Sequence, residues 1–94
     1  MRQIEAKSEF KRNLKHLRHG RYRRIVEVDL WEVVKTLAND EVLDYHYHDH
    51  QLKGDWLGSR ECHIAPDLLL VYTLEGENIL WLERLGTHSE IFGM

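Results

Sequence analysis

Three short runs decide the fold: Arg60-Glu61-Cys62-His63-Ile64, Leu68-Leu69-Leu70-Val71-Tyr72-Thr73-Leu74 and Ile79-Leu80-Trp81-Leu82-Glu83-Arg84-Leu85. The first alternates polar and apolar residues, the period of a half-buried strand. Pro66-Asp67 separates it from the second, an apolar run containing Val71 and Tyr72. Gly76-Glu77-Asn78 separates the second from the third, and these turn residues make the last two runs a hairpin. If Cys62 and Ile64 are core, His63 points to the opposite face of the sheet. Arg84 shares parity with the apolar Leu80 and Leu82, so either it lies past the core edge or a bulge re-aims it.

Upstream the period changes. Residues 2–6 fit a short strand. Ser8 is a candidate N-cap with Glu9 in the first turn, and Phe10, Leu14 and Leu17 follow at helical spacing up to Gly20. A second helix is expected from Arg21 to Ala38. Tyr22, Val26, Leu30, Val33 and Leu37 form its apolar stripe, and Asn39-Asp40 ends it. Residues 41–57 are polar, aromatic and rich in histidine, and read as a long loop. The order is β-α-α-β-β-β, with Ser89–Phe92 as a short closing helix. This is an α+β fold with an antiparallel sheet and a helical hairpin on one face. The other face is then open to a substrate or partner.

Ninety-four residues make one small domain, here 1–94, of ordinary globular composition. No apolar run approaches the length of a membrane span, and Met1–Glu5 lacks the apolar core of a signal peptide. A single cysteine, Cys62, excludes an internal disulfide and a cysteine-based zinc site, and fits a reducing cytoplasm. The net charge of -3 is divided unevenly, with +7 in residues 1–24 and -10 in residues 25–94. The basic run from Lys11 to Arg24 is suited to nucleic acid or an acidic protein segment, although a charge run alone is more often a solvated helix face.

The chemistry-bearing residues lie in the second half. His50, His63, Asp67, Arg84 and His88 fall in three runs set among turn residues. Histidine exchanges a proton near neutrality, and an arginine fork suits a phosphate. Cleaving RNA through its own 2′-hydroxyl needs a base, an acid and charge stabilisation at phosphorus, and this inventory supplies all three without a metal or other cofactor. Taken singly, each residue has a plainer reading: a capping His88, a turn Asp67, an ion-paired Arg84, a Phe92 that plugs the C-terminus. Trp56 and Trp81 read as packing residues. His46, His48 and His50 alternate, and in an extended chain they would project to one side and could bind zinc or nickel. In a variable loop the alternation is a coincidence of spacing, and no residue is expected to be a metal ligand.

The order of the runs is more specific than their content. Asp49-His50-x-Leu52-x-Gly54-x-Trp56-x-Gly58-x-Arg60, then His63-Ile64-x-Pro66-Asp67-x-Leu69-Leu70-Val71-Tyr72, then Glu83-Arg84-x-Gly86-Thr87-His88-x-x-x-Phe92-Gly93 closely resembles the YafQ branch of the RelE/ParE toxin superfamily. The resemblance covers residues 49–93. It implies a RelE-like microbial RNase fold and a ribosome-dependent endoribonuclease that cuts mRNA in the A site of the 70S ribosome. It also implies a cognate antitoxin that inhibits the toxin and through which alone operator DNA is reached.

By position, the resemblance makes His50, His63, Asp67 and His88 the catalytic residues, with His63 orienting Asp67 or contacting phosphate, Arg84 on the scissile phosphate, and Phe92 packing against a base or closing the site. His88 would be the principal proton-transfer group, with His50 and Asp67 as its partners. Leu68 stands where the nearest relatives carry a tryptophan, which implies a lost stacking contact to a base. Three rivals stand beside this reading: a ParE-like toxin that poisons gyrase by binding, a degenerate toxin that only binds its antitoxin as a co-repressor, and a metal-binding regulator built on His46, His48 and His50.

Overall fold

The computed structural model describes residues 1–93. The chain runs through β1 (Gln3–Ala6), α1 (Ser8–Leu17), α2 (Leu30–Ala38), β2 (His50–Gln51), β3 (Arg60–Ala65), β4 (Leu68–Glu75), β5 (Ile79–Gly86) and α3 (His88–Phe92). The strands form one sheet in the order β1-β5-β4-β3-β2. The three C-terminal strands pair antiparallel as the sequence predicts, and two-residue β2 adds antiparallel to β3. One expectation is corrected: β1 pairs parallel with β5, so the sheet is mixed. The chain leaves β1 at one edge, forms both helices and the long loop, and returns through β2, β3 and β4. It reaches the β1 edge only with its last strand.

Phe10, Leu14 and Leu17 of α1 and Leu30, Val33, Val34 and Leu37 of α2 pack on Cys62, Ile64, Leu70, Tyr72, Leu80, Leu82 and Leu85 of the sheet. Both helices therefore cover one face, because their apolar stripes have no other surface to bury against. No helix among the described residues is long and apolar enough to cross a membrane.

Two local features differ from the sequence pattern, and a third, the helix end at Asn39-Asp40, agrees with it. Lys7, not Ser8, is the N-cap of α1, with no side-chain cap. The second helix begins near Arg23 but passes through a π-helical turn at Ile25–Asp29 before α2. Its end is a Schellman motif: Asp40 takes a left-handed conformation (φ 56°), the Asp40 N–H reaches the Leu37 carbonyl and the Glu41 N–H that of Thr36. Arg2 secures that strained turn. Its Nε donates to Asp40 at 2.8 Å, and its Nη1 donates to the Gly76 carbonyl at 2.8 Å, so one guanidinium joins the helix end to the β4–β5 turn.

The bulge raised by the parity of Arg84 is present. Tyr72 pairs with Leu82 and Val71 with Arg84, so Glu83 has no residue opposite it. Beyond this point Leu85 takes the core side and Arg84 turns to the face shared by Val71, Glu61 and His50. Leu68 is fully buried in the helix-side core. A side chain there faces away from His63, so the residue's identity does not decide stacking on a base at the second face.

Candidate active site

The second face of the sheet carries polar residues in register. His50, Glu61, Val71 and Arg84 form one row across β2, β3, β4 and β5, and His63, Leu69 and Gly86 form the next. The bulge brings Arg84 into the first row. Asp67 lies in the turn between β3 and β4, and His88 opens α3 directly after β5.

His63, Asp67 and His88 line one cavity of about 350 Å³, together with Pro66, Leu69, Thr87 and Ser89. Leu69 is buried and supplies an apolar wall. The Nδ1 of His63 lies 3.3 Å from the Pro66 carbonyl, the contact of an Nδ1–H tautomer that leaves the lone pair on Nε2. The His63 ring also meets His48 edge-on at 5.3 Å.

Asp67 is engaged from the helical hairpin. Its carboxylate accepts from the Tyr22 hydroxyl and from Arg21 at 3.0 Å. The Tyr22 hydrogen bond holds the Asp67 carboxyl below its ordinary range, with the nearby Arg21 charge adding to the shift. Asp67 is thus an acceptor and not an acid at neutral pH. The same bond raises the Tyr22 phenol above its ordinary value.

His88 continues into a chain of ring contacts. It lies 4.9 Å from Phe92, Phe92 lies 5.9 Å edge-on from Trp56, and the Arg84 guanidinium sits 5.2 Å from the Trp56 ring. Trp56 thus packs between Phe92 and the Arg84 guanidinium. Arg84 also lies 3.7 Å from Glu9 of α1 and donates to the Glu83 carbonyl at 2.8 Å. α3, which places His88 and Phe92, is fixed by a capping box in which Thr87 and Glu90 cap each other's backbone N–H. Gly86 lies close under this cap. A Cβ at this position would meet the Glu90 carboxylate at 3.2 Å.

His50 stands apart from the cavity. Its Nε2 is 3.0 Å from Glu61 and its Nδ1 is 2.7 Å from the His48 carbonyl. The loop carrying it is held by Asp49, which accepts from Tyr72 at 2.6 Å and from Arg60 at 3.2 Å. The structure therefore brings together His63, Asp67 and His88, links Phe92 to His88 directly and Arg84 to Phe92 through Trp56, and aligns His50 with Arg84 across the sheet.

Sequence reasoning missed Glu61, Tyr22 and Asp49. Glu61 was legible in principle, since it shares the parity of His63.

The alternating histidines do not form an extended row, in keeping with the loop read for residues 41–57. Tyr45–Tyr47 is a 3₁₀ turn and His48 adopts a left-handed conformation (φ 50°), so His46 turns to Asp44, His48 to His63 and His50 to Glu61. Among the described residues no three His, Cys, Asp or Glu side chains are grouped to hold a metal ion. Cys62 is buried in the core, and burial pushes its thiol far above the ordinary range, which removes it as a nucleophile.

Comparison with known proteins gives a consistent picture. A family model described as the bacterial toxin of type II toxin-antitoxin system, YafQ, matches residues 2–93. The mRNA interferase toxin YafQ of Escherichia coli strain B / BL21-DE3 is 33% identical over 92 residues, 98% of this chain and 97% of the relative. The protein of the same name from strain K12 is 47% identical over 47 residues, half of each chain. A crystal structure of a copper-bound mutant toxin from Helicobacter pylori superposes with a TM-score of 0.90 at 40% identity, covering 98% of this chain and 100% of that one. The structure of the E. coli DinJ-YafQ complex superposes with a TM-score of 0.81 at 33% identity, covering 99% and 100%.

Proposed function

The chain belongs to the YafQ family of toxins from type II toxin–antitoxin systems, and on that premise we propose that it is an endoribonuclease that cleaves mRNA in the ribosomal A site. The observation that carries the reading is the shared cavity of His63, Asp67 and His88, with Arg84, Trp56 and Phe92 extending from it.

Each residue fits a step of metal-independent cleavage through the 2′-hydroxyl. His63, with its Nδ1–H on the Pro66 carbonyl, takes the 2′-OH proton at Nε2. The freed oxygen attacks phosphorus, and the bond from phosphorus to the 5′-oxygen breaks. His88 gives that oxygen its proton as it leaves. Asp67, held as a carboxylate by Tyr22, orients or stabilises the histidine that becomes cationic. The guanidinium of Arg84 leaves its long contact with Glu9 for the scissile phosphate, whose charge grows in the transition state. Phe92 and Trp56 provide ring faces for a base.

The division of roles between His63 and His88 is part of the proposal. His88 remains the principal proton-transfer group. His63 takes the role of partner that the sequence pattern gave to His50 and Asp67.

The exposed cations of α1 and its C-cap, Lys11, Arg12, Lys15 and Arg18, supply the phosphate-facing surface that an acidic chain otherwise lacks for ribosomal RNA. A cognate antitoxin is the expected protein partner, by analogy with the DinJ-YafQ assembly of the relative, and operator DNA would be reached through it. The test is induction in a bacterial host. Growth arrest with mRNA ends at codon-fixed positions, relieved by the adjacent antitoxin, supports the reading. Arrest without new mRNA ends points to a binding toxin of the gyrase type.

A further inference from the structure

Glu61 is an unusual side chain for a polar face. It is 6% exposed, and its Oε2 has no hydrogen-bond partner among the described residues. A buried carboxylate left half-satisfied costs stability unless a charge compensates it. Among the described residues the one side chain that pairs with it is His50, whose Nε2 is 3.0 Å from Oε1. The other nitrogen of the same ring is 2.7 Å from the His48 carbonyl. A carbonyl oxygen only accepts, so Nδ1 carries a proton. The Nε2–Oε1 contact then holds one further proton, on one atom or the other. With that proton on Nε2 the buried carboxylate faces a charge, the compensation that its unpartnered Oε2 calls for, so the proton resides on Nε2.

From this geometry we propose that Glu61 and the His48 carbonyl hold His50 as an imidazolium with both protons committed. His50 is then a fixed positive charge of the site, and neither its acid nor its base. Glu61 is the positioning residue that sets this state.

The surroundings agree. Across the sheet Glu61 faces Val71 of β4, which brings no charge, and His50 of β2. Asp49 and Arg60, the neighbouring charged residues in sequence, are paired with each other and with Tyr72. Along β3 on the same face the next group is His63, which turns to the Pro66 carbonyl. At the other end of the row is Arg84, three strands away, or about 14 Å between backbones. The two cations bracket the strip of sheet over which a phosphodiester would lie.

This rests on the nuclease reading for its consequence but not for its central statement, which is a protonation state. ¹⁵N NMR of the histidine rings in the full chain tests it directly. The expected result is N–H coupling at both ring nitrogens of His50 at pH 7, and its loss at one of them in Glu61→Gln. A singly protonated His50 in the native chain, or a protonated Glu61 carboxyl in its ¹³C spectrum, overturns the proposal, and neither result depends on how a variant folds.

In ribosome-bound cleavage, Glu61→Gln should lose activity by about 10²-fold at pH 7.5, the scale of removing one charge stabiliser. Activity should recover as pH falls and His50 regains its proton, and Glu61→Asp should restore much of it. A Glu61→Gln loss that is the same at every pH assigns Glu61 a structural role only and overturns the proposal. Absence of cleavage by the native chain overturns the nuclease reading and leaves the NMR result to decide the state of His50.

Discussion

The hydroxyl of Tyr22 donates to the carboxylate of Asp67, 45 residues away in sequence, and this bond ties the start of the second helix to the cavity of His63 and His88. In Tyr22→Phe the carboxyl loses its main cause of depression and should titrate closer to an ordinary aspartate, read by ¹³C NMR of Asp67. The sign follows from the direction of the shift. A folded-state pKa below the unfolded value means that the contact contributes stability above the ordinary carboxylate range. That contribution is lost as pH falls through the depressed value. Tyr22→Phe should therefore flatten the acid side of the stability profile. Cleavage should fall, but by less than the ~10²-fold expected for removing an acid–base group itself.

Arg84 is aimed by the bulge at Glu83 and stands over Trp56. Replacing it with alanine should reduce the rate of cleavage by about 10²- to 10³-fold in single-turnover measurements. Lysine should restore only part of this, because an ammonium cannot present two parallel donors to a phosphate. A lysine variant as active as the native chain would place Arg84 outside the phosphate site.

α3 carries His88 and Phe92, and its start depends on the Thr87–Glu90 capping box. Thr87→Ala should cost about 0.5–2 kcal/mol if the helix end contributes to global stability. It should lower cleavage as well, by letting His88 move from the cavity. Urea denaturation and cleavage assays on the same preparation separate the two effects.

Arg2 joins Asp40, the Gly76 carbonyl and the Ile79 carbonyl, and its side chain is mostly buried between the helix end and the hairpin. Arg2→Ala should destabilise the fold by roughly 1–3 kcal/mol, the cost of leaving such acceptors unpaired. The rate of cleavage by the folded fraction should not change, since Arg2 contacts no residue of the cavity. An unchanged urea midpoint would contradict this account of how β1 is held at the sheet edge.

Much of this was legible in the sequence. Turn residues at 76–78 and alternation in Arg60–Ile64 specify the three antiparallel strands, and the anomalous parity of Arg84 leaves a bulge as one of two readings, between which the register decides. The parallel pairing of β1 was not legible, because periodicity tells which face a strand buries and not which strand lies beside it. The π-turn at Ile25–Asp29 was hidden because its apolar residues fit an α-helical stripe equally well. Tyr22 belongs to that stripe by pattern, and only the fold shows that its hydroxyl leaves the core for Asp67. His50, His63 and His88 share a residue type but differ in what their nitrogens face, and that difference is tertiary.

The central claim is tested most directly by single-turnover cleavage of mRNA held in the A site of purified ribosomes, comparing the native chain with His88→Ala. The account predicts codon-positioned cuts by the native chain and a rate about 10²- to 10⁴-fold lower for the variant, with ribosome binding retained. Equal rates for the two proteins would contradict it.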